Sequence, residues 1–269
     1  MLGIGNGIAI PFTTKAAGGG GKSYLLDDLS STPDSLISPS KAFSLAFETA
    51  AIIRLRRTSD GAEADFTGAE IAAGDDLTWV GAQTSFVRYV YDQSGNTKHL
   101  GQATAGYQGQ YTDSGGNKIV MDDGNPAPQQ IPLGMTYPAL GFTGSDGAAV
   151  FRFNGNSDAN WRVLRNGGAH LIYVLGVAST PVSGVGTPVI KINGVTLSPY
   201  TMAEALSEMQ NTDVTVRITD IDWSANANWN TIVPYLIYFG NAKMSSAALY
   251  NAEPSGADLD LIVSHFETT

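Results

Sequence analysis

Two tryptophans, Trp223 and Trp229, bracket two asparagines, Asn226 and Asn228, in the stretch DWSANANWN. Aromatic rings stack beneath sugar rings while side-chain amides bond hydroxyls, so this loop has the residue types of a saccharide contact. Tryptophans beside strands serve equally as core plugs, and the sequence leaves both readings open. Asn160 with Trp161 repeats the pairing on a smaller scale. Asp92 and Asn96, in the stretch YDQSGN, form a second candidate group. They stand where an alternating strand hands over to a polar turn, a position from which side chains reach solvent or ligand. Trp223, Asn226, Asn228, Trp229, Asp92 and Asn96 are therefore the candidate carbohydrate contacts.

Other chemistry is sparser. Asp122 and Asp123 with Asn125, and Asp220 with Asp222, offer hard oxygen ligands and are weak calcium candidates. Neither group has EF-hand spacing, and acidic turns are commonly just solvated. His99, His170 and His265 are far apart and show no metal-ligand spacing. With no cysteine, the chain has no disulfide, no thiol nucleophile and no cysteine-based zinc site. No cofactor beyond a possible calcium ion is expected, and no residue is assigned a catalytic role.

The elements that must hold these residues read as β-strands. Residues 86–91 alternate, with Val87, Tyr89 and Tyr91 on one face and Phe86, Arg88 and Val90 on the other. Residues 52–57, 118–121, 148–153, 161–164, 170–177, 189–192, 214–218 and 232–239 read as further strands. Asn193-Gly194 between VIKI and VTL signals a hairpin, because both residues tolerate positive φ. Pro234 marks residues 232–239 as an edge or a bulge. Thr201 with Glu204 and Ser255 with Asp258 have capping-box spacing. After the second, Leu259, Ile262, Val263 and Phe266 define one apolar helix face. Residues 42–47 and 77–81 are ambiguous between helix and strand, and four prolines (Pro126, Pro128, Pro132, Pro138) make that region loop. No internal repeat is present.

Composition sets bounds on function. The chain has 269 residues, 43% of them hydrophobic, enough for one large β domain with a substantial core. A formal net charge of −10, from 25 acidic and 15 basic residues, disfavours a nucleic-acid partner. Arg54, Arg56 and Arg57 form a basic cluster on an alternating strand, expected to pair with Asp60, Glu63 and Asp65. No run reaches the roughly 18 apolar residues of a membrane span, and the N-terminus lacks the basic region of a signal peptide. Residues 1–24 read as an arm, with Ile4, Ile8, Ile10 and Phe12 as apolar anchors and Gly18 to Gly21 as a tether, ahead of one domain over residues 25–269.

YDQSGN followed by HL and QATAG, after IRLRRTSDGAEADF, resembles the catalytic domain of fungal B-type α-L-arabinofuranosidases. It more closely resembles the concanavalin A-like (laminin G-like) domains of tailed-phage structural proteins. Those open with an IPF arm, a glycine run, LLD and AFSL, here Ile10-Pro11-Phe12, Gly18 to Gly21, Leu25-Leu26-Asp27 and Ala42-Phe43-Ser44-Leu45. The resemblance covers residues 1–125 well and the rest in outline. It implies an all-β, two-sheet jelly-roll sandwich with short peripheral helices and a C-terminal helix. It further implies a non-enzymatic virion protein, assembled in the host cytoplasm, anchored by its arm to capsid or tail subunits. Such a protein would be a homo-oligomer and could meet a host-surface glycan. The alternative is a carbohydrate-active enzyme or freestanding lectin. On that alternative, the family's nucleophile position falls on or beside His170 and its acid maps loosely to Asp222.

Overall fold

The computed structural model describes residues 23–120, 135–155, 160–166, 169–175, 188–197, 207–209, 212–225, 235–238 and 243–268. The arm residues Ile4, Ile8, Ile10 and Phe12 lie outside these, as does the capping pair Thr201 and Glu204. The strands are β1 (Ser35–Ile37), β2 (Ala51–Arg57), β3 (Glu63–Thr67), β4 (Ser85–Val90), β5 (Leu100–Gly101), β6 (Gly109–Thr112) and β7 (Gly147–Asn154). They continue with β8 (Asn160–Asn166), β9 (Ala169–Leu175), β10 (Val189–Ile192), β11 (Val195–Leu197), β12 (Asp213–Ile221), β13 (Tyr235–Tyr238) and β14 (Lys243–Tyr250). The helices are α1 (Leu25–Asp28), α2 (Gly68–Ala73), α3 (Asp75–Val80) and α4 (Gly256–Glu267).

Among the described residues all ladders are antiparallel. One sheet runs β1-β14-β7-β12-β10-β11, a second β3-β2-β4-β5 with β6 also on β4, and a third β13-β8-β9. The first two face each other across one core. Ile53, Leu55, Val87 and Val90 come from one side, and Phe151, Phe153, Val214, Val216 and Leu249 from the other. This is the all-β sandwich that the resemblance implies. The β10–β11 hairpin turns at Asn193 (φ 47) and Gly194 (φ 80), as their residue types require. Among the described strands β13 is at an edge, in keeping with Pro234 just before it in the sequence. The ambiguous residues resolve as a 3-10 turn at Leu45–Glu48 and as α3.

Strand β7 is buried along its whole length because it is covered on both faces. Ala149, Phe151 and Phe153 enter the main core, whereas Ala148 and Val150 lie under Leu259, Ile262 and Phe266 of α4. The α4 register matches its apolar periodicity, and Ser255 Oγ accepts the Asp258 N–H at the helix start. The Asp258 carboxylate goes elsewhere, accepting Ser30 N–H (2.9 Å) and Ser30 Oγ–H (2.7 Å). A reciprocal capping box occurs instead at Thr67 and Glu70, where T-G-A-E carries the signal.

Burial opposes charge on Asp258, but the bonds from Ser30, Ser255 and Ser31 outweigh it and hold the carboxyl below the ordinary aspartate range. A carboxyl depressed by folding stabilises the fold above its unfolded pKa, about 4, and that contribution is lost as pH falls through the folded value. Stability is therefore expected to drop below about pH 4. Asp258→Asn should be less stable at pH 7 and show a shallower acid decline. Urea midpoints measured against pH check this, and parallel curves for the two proteins would refute it.

The basic cluster is structural. Arg54 holds Asp65 with two bonds of 2.7 Å, Arg57 pairs with Asp60, and Arg56 donates to Gln108. Glu63 pairs with Arg88 rather than with this cluster. Strand β4 departs from strict alternation. The pairings Arg54↔Tyr89 and Leu55↔Val87 leave Arg88 as an extra residue, a bulge. Val87 and Val90 consequently both enter the core, while Arg88 and Tyr89 are both only partly covered.

Candidate functional site

The sheet topology gathers three acidic residues at one end of the sandwich. In the order β14-β7-β12, strand β7 begins where its antiparallel neighbours end, with Gly147 opposite Ile221 and Ala148 opposite Tyr250. Asp146 directly precedes β7, Asp220 is near the end of β12, and Glu253 follows β14. Asp220 sits in a register shift between Ile218 and Ile221 with φ 56, a left-handed conformation that aspartate tolerates better than most residues. Carboxylate oxygens of Asp146, Asp220 and Glu253 lie within 4.8 Å of one another. Backbone bonds tie the loops together. Glu253 N–H donates to Asp146 O (2.6 Å), and Asp220 N–H donates to Glu253 Oε2 (3.3 Å).

The three are not equivalent. Asp146 and Asp220 are exposed, while Glu253 is partly covered. Desolvation raises the Glu253 pKa, and the negative Asp146 and Asp220 add to it, against the lowering effect of the Asp220 N–H and Arg217. Arg217 itself is bound to Asp260 at 2.7 Å.

Beneath this site lies Trp223. It is fully buried, its ring meets Phe142 edge-on at 5.0 Å, and its Nε1–H donates to Tyr250 O (2.9 Å). A Cβ on Gly147 would lie 1.9 Å from that nitrogen, so the close approach requires glycine there. Trp223 thus has no face to offer a sugar; it is a plug at the sandwich end.

Asp92 is likewise structural rather than ligand-facing. It is buried, and its carboxylate accepts Leu36 N–H, Ser94 N–H, Ser94 Oγ–H and Lys98 N–H. Asn96 is exposed and donates to the carbonyls of Pro33 and Asp34. Asn226, Asn228 and Trp229, and the calcium candidates Asp122 and Asp123, lie outside the described residues. Of the other acidic pair, Asp220 joins the acidic trio, whereas Asp222 Oδ1 accepts bonds from Ser224 N–H, Ser224 Oγ–H and Ala225 N–H. His170 pairs through its backbone with Arg165 in the β8–β9 ladder. Sequence reading missed Asp146 and Glu253, since residues so far apart carry no spacing signal.

A second feature is a groove of about 430 Å³ lined by the β4 bulge residues Arg88 and Tyr89, by Thr97, His99, Gly101, Gln102 and Ala103, and by Thr136, Tyr137 and Pro138. The segment forming its far wall leads on to Asp146. Thr136 exchanges both backbone bonds with Gly101, Lys98 Nζ donates to Leu140 O, and Phe142 rests on Trp223.

No known family profile matches the chain, and no curated protein matches it. Solved structures do. An arabinofuranosidase complexed with arabinofuranosyl-α-1,2-xylobiose is 18% identical, with a TM-score of 0.51, over 87% of this chain and 62% of that one. A GH54 α-L-arabinofuranosidase soaked with a cyclic sulfate inhibitor is also 18% identical, with a TM-score of 0.46 and the same coverage. At such identity the first likeness shows the fold alone, a β-sandwich, and this chain spans about 62% of the length of those it matches. The expectation of a non-enzymatic phage virion protein is corrected by these matches. The match with a TM-score of 0.51 is an arabinofuranosidase and not a phage protein.

Proposed function

We propose that this chain is a carbohydrate-active enzyme, a glycoside hydrolase acting on arabinofuranosides, with Asp146, Asp220 and Glu253 as its acidic centre. The observation that carries the reading is the convergence of three carboxylates within 4.8 Å on a fold shared with an arabinofuranosidase. Glycoside cleavage needs one carboxyl that keeps its proton for the leaving oxygen and a second carboxylate on the sugar's other side. Retaining enzymes hold the two about 5 Å apart, inverting ones further. A separation within 4.8 Å is nearer the first class than the second. Glu253, with its raised pKa, is the general acid, because desolvation keeps its proton in place at higher pH. Asp220, held by the β12 bulge, is the nucleophile, and the negative Asp146 helps keep the proton on Glu253. Asp222 instead closes its own turn, accepting from Ser224 and Ala225.

Hydrolysis of 4-nitrophenyl α-L-arabinofuranoside tests the reading. Glu253→Gln and Asp220→Asn are each expected to reduce kcat/KM at least about a hundredfold. Activity in the parent should decline as pH rises through the elevated Glu253 pKa, and Glu253→Gln should lack that alkaline limb. Absence of turnover in the parent, or parental turnover in either variant, would refute it.

A further inference from the structure

The acidic centre is assembled from three segments, and one side chain outside it joins two of them. Asn251 directly follows β14 and stands two residues before Glu253. Its Oδ1 accepts the N–H groups of Thr143 (2.8 Å) and Gly144 (2.9 Å), in the segment that leads to Asp146. Two donors on one oxygen fix which way the amide lies. The Asn251 N–H donates to Asp34 Oδ2 (2.7 Å), so the residue is itself held while it holds the loop. The fit is close. A Cβ on Gly144 would lie 2.0 Å from Asn251 O, and glycine there lets the two segments touch.

Thr143, Ser145 and Asp146 are exposed, so hydrogen bonds rather than burial set where this loop lies. Gly144 O accepts the Trp223 N–H (2.9 Å), and Asp146 O accepts the Glu253 N–H (2.6 Å). Carboxylates held within 4.8 Å repel one another, and a loop on the surface relieves that repulsion by swinging Asp146 away. The two bonds to Asn251 oppose the movement. The other charged groups facing Glu253 are Asp220, whose N–H donates to Glu253 Oε2 (3.3 Å), and Arg217, which is bound to Asp260 (2.7 Å). Both Asp220 and Arg217 lie on β12, so the position of Asp146 is the part of this field that Asn251 governs.

We propose that Asn251 is the positioning residue of the acidic centre, its side-chain carbonyl setting how closely Asp146 approaches Glu253. The inference rests on the hydrolase reading for its consequence in turnover, and on the hydrogen bonds alone for its geometry. Asn251 acts through the loop, not on the substrate. With Asp146 held close, Glu253 keeps its proton to higher pH, as a general acid must. Without the Oδ1 acceptor the loop moves out, and the Glu253 carboxyl returns toward the ordinary glutamate range.

Carboxyl-carbon NMR of the full chain against pH, with the Glu253 signal assigned by Glu253→Gln, reads the approach of Asp146 without any substrate. In Asn251→Ala the Glu253 inflection is expected to move to lower pH. Gly144→Ala should move it the same way by forcing the contact open from the other side, and it supplies the reading if Asn251→Ala does not fold. Asn251→Asp keeps an acceptor for both N–H groups and should show no such fall. A purely structural role would lower stability and leave the inflection in place. With 4-nitrophenyl α-L-arabinofuranoside, Asn251→Ala should lose about tenfold or more in kcat, its alkaline limb displaced to lower pH, and Asn251→Asp less than about threefold. An unmoved inflection in either folded alanine variant, or a fall in Asn251→Asp equal to that in Asn251→Ala, would overturn the proposal. The two readings fail separately. A moved inflection without turnover in the parent leaves Asn251 in its role and removes the hydrolase. Turnover with an unmoved inflection keeps the hydrolase and removes the positioning residue.

Discussion

Replacing Trp223 by alanine is expected to destabilise the protein by about 3–5 kcal/mol, the range for deleting a large buried aromatic side chain. The indole is fully enclosed and stacks edge-on against Phe142. Its removal leaves a cavity that Gly147, with no side chain, does nothing to fill. The carbonyl of Tyr250 simultaneously loses its indole donor. Trp223→Phe should cost less, because a ring still fills most of the space while the hydrogen bond is lost. Urea unfolding of the three proteins gives the numbers. A loss below about 1 kcal/mol for alanine would mean that the tryptophan is not the plug described. Function should follow stability here, since Trp223 N–H bonds Gly144 O and its ring rests against Gly147, next to Asp146. Loosening the plug loosens the loop that brings Asp146 to Asp220 and Glu253.

Asp92→Ala is expected to cost about 3–5 kcal/mol as well, by a different mechanism. The carboxylate accepts from three backbone N–H groups, those of Leu36, Ser94 and Lys98, at 2.9, 3.0 and 2.9 Å. Alanine leaves these donors without their acceptor, and buried orphan donors are costly. The position amplifies the effect. Leu36 belongs to β1 at the edge of one sheet, whereas Asp92 follows β4 of the other. Gln93 continues the same junction, donating its N–H to Leu36 O and its side-chain amide to Lys41 O while accepting Phe43 N–H. These two residues latch the sheets together. Asp92→Asn tests the charge and geometry separately, because an amide presents one acceptor and turns its NH2 toward donors. It should recover only part of the loss. If Asp92→Ala unfolds at the parent urea concentration, the latch does not exist.

These two residues also show where reading a sequence stops. Their types suggested ligand contacts, since aromatic, carboxylate and amide groups bind sugars as readily as they fill a core. Which they do depends on what surrounds them. For Trp223 the deciding neighbours are Phe142, Gly147 and Tyr250, and for Asp92 they include Leu36, all distant in the chain. YDQSGN and QATAG carry a resemblance both to arabinofuranosidases and to phage domains. Short local strings of that kind follow the fold and do not report the chemistry placed on it.

Local features were legible because their causes are local. The Asn193-Gly194 turn needs positive φ at both residues, and only those residue types supply it cheaply. The face of α4 repeats at helical spacing, so Leu259, Ile262 and Phe266 were bound to lie on one side. Pairing of Arg54 and Arg57 with Asp65 and Asp60 follows from opposite charges on and beside a single hairpin. The β-sandwich itself came from strand lengths and turns. Tertiary structure alone decided the rest. The extra residue at Arg88 arises from how β2 pairs with β4, and it turned Tyr89 outward against its own alternation. Asp146, Asp220 and Glu253 meet only because β7 starts where β12 and β14 finish. Strand order in a sheet is set by long-range packing, which leaves no periodic mark on the segments it joins.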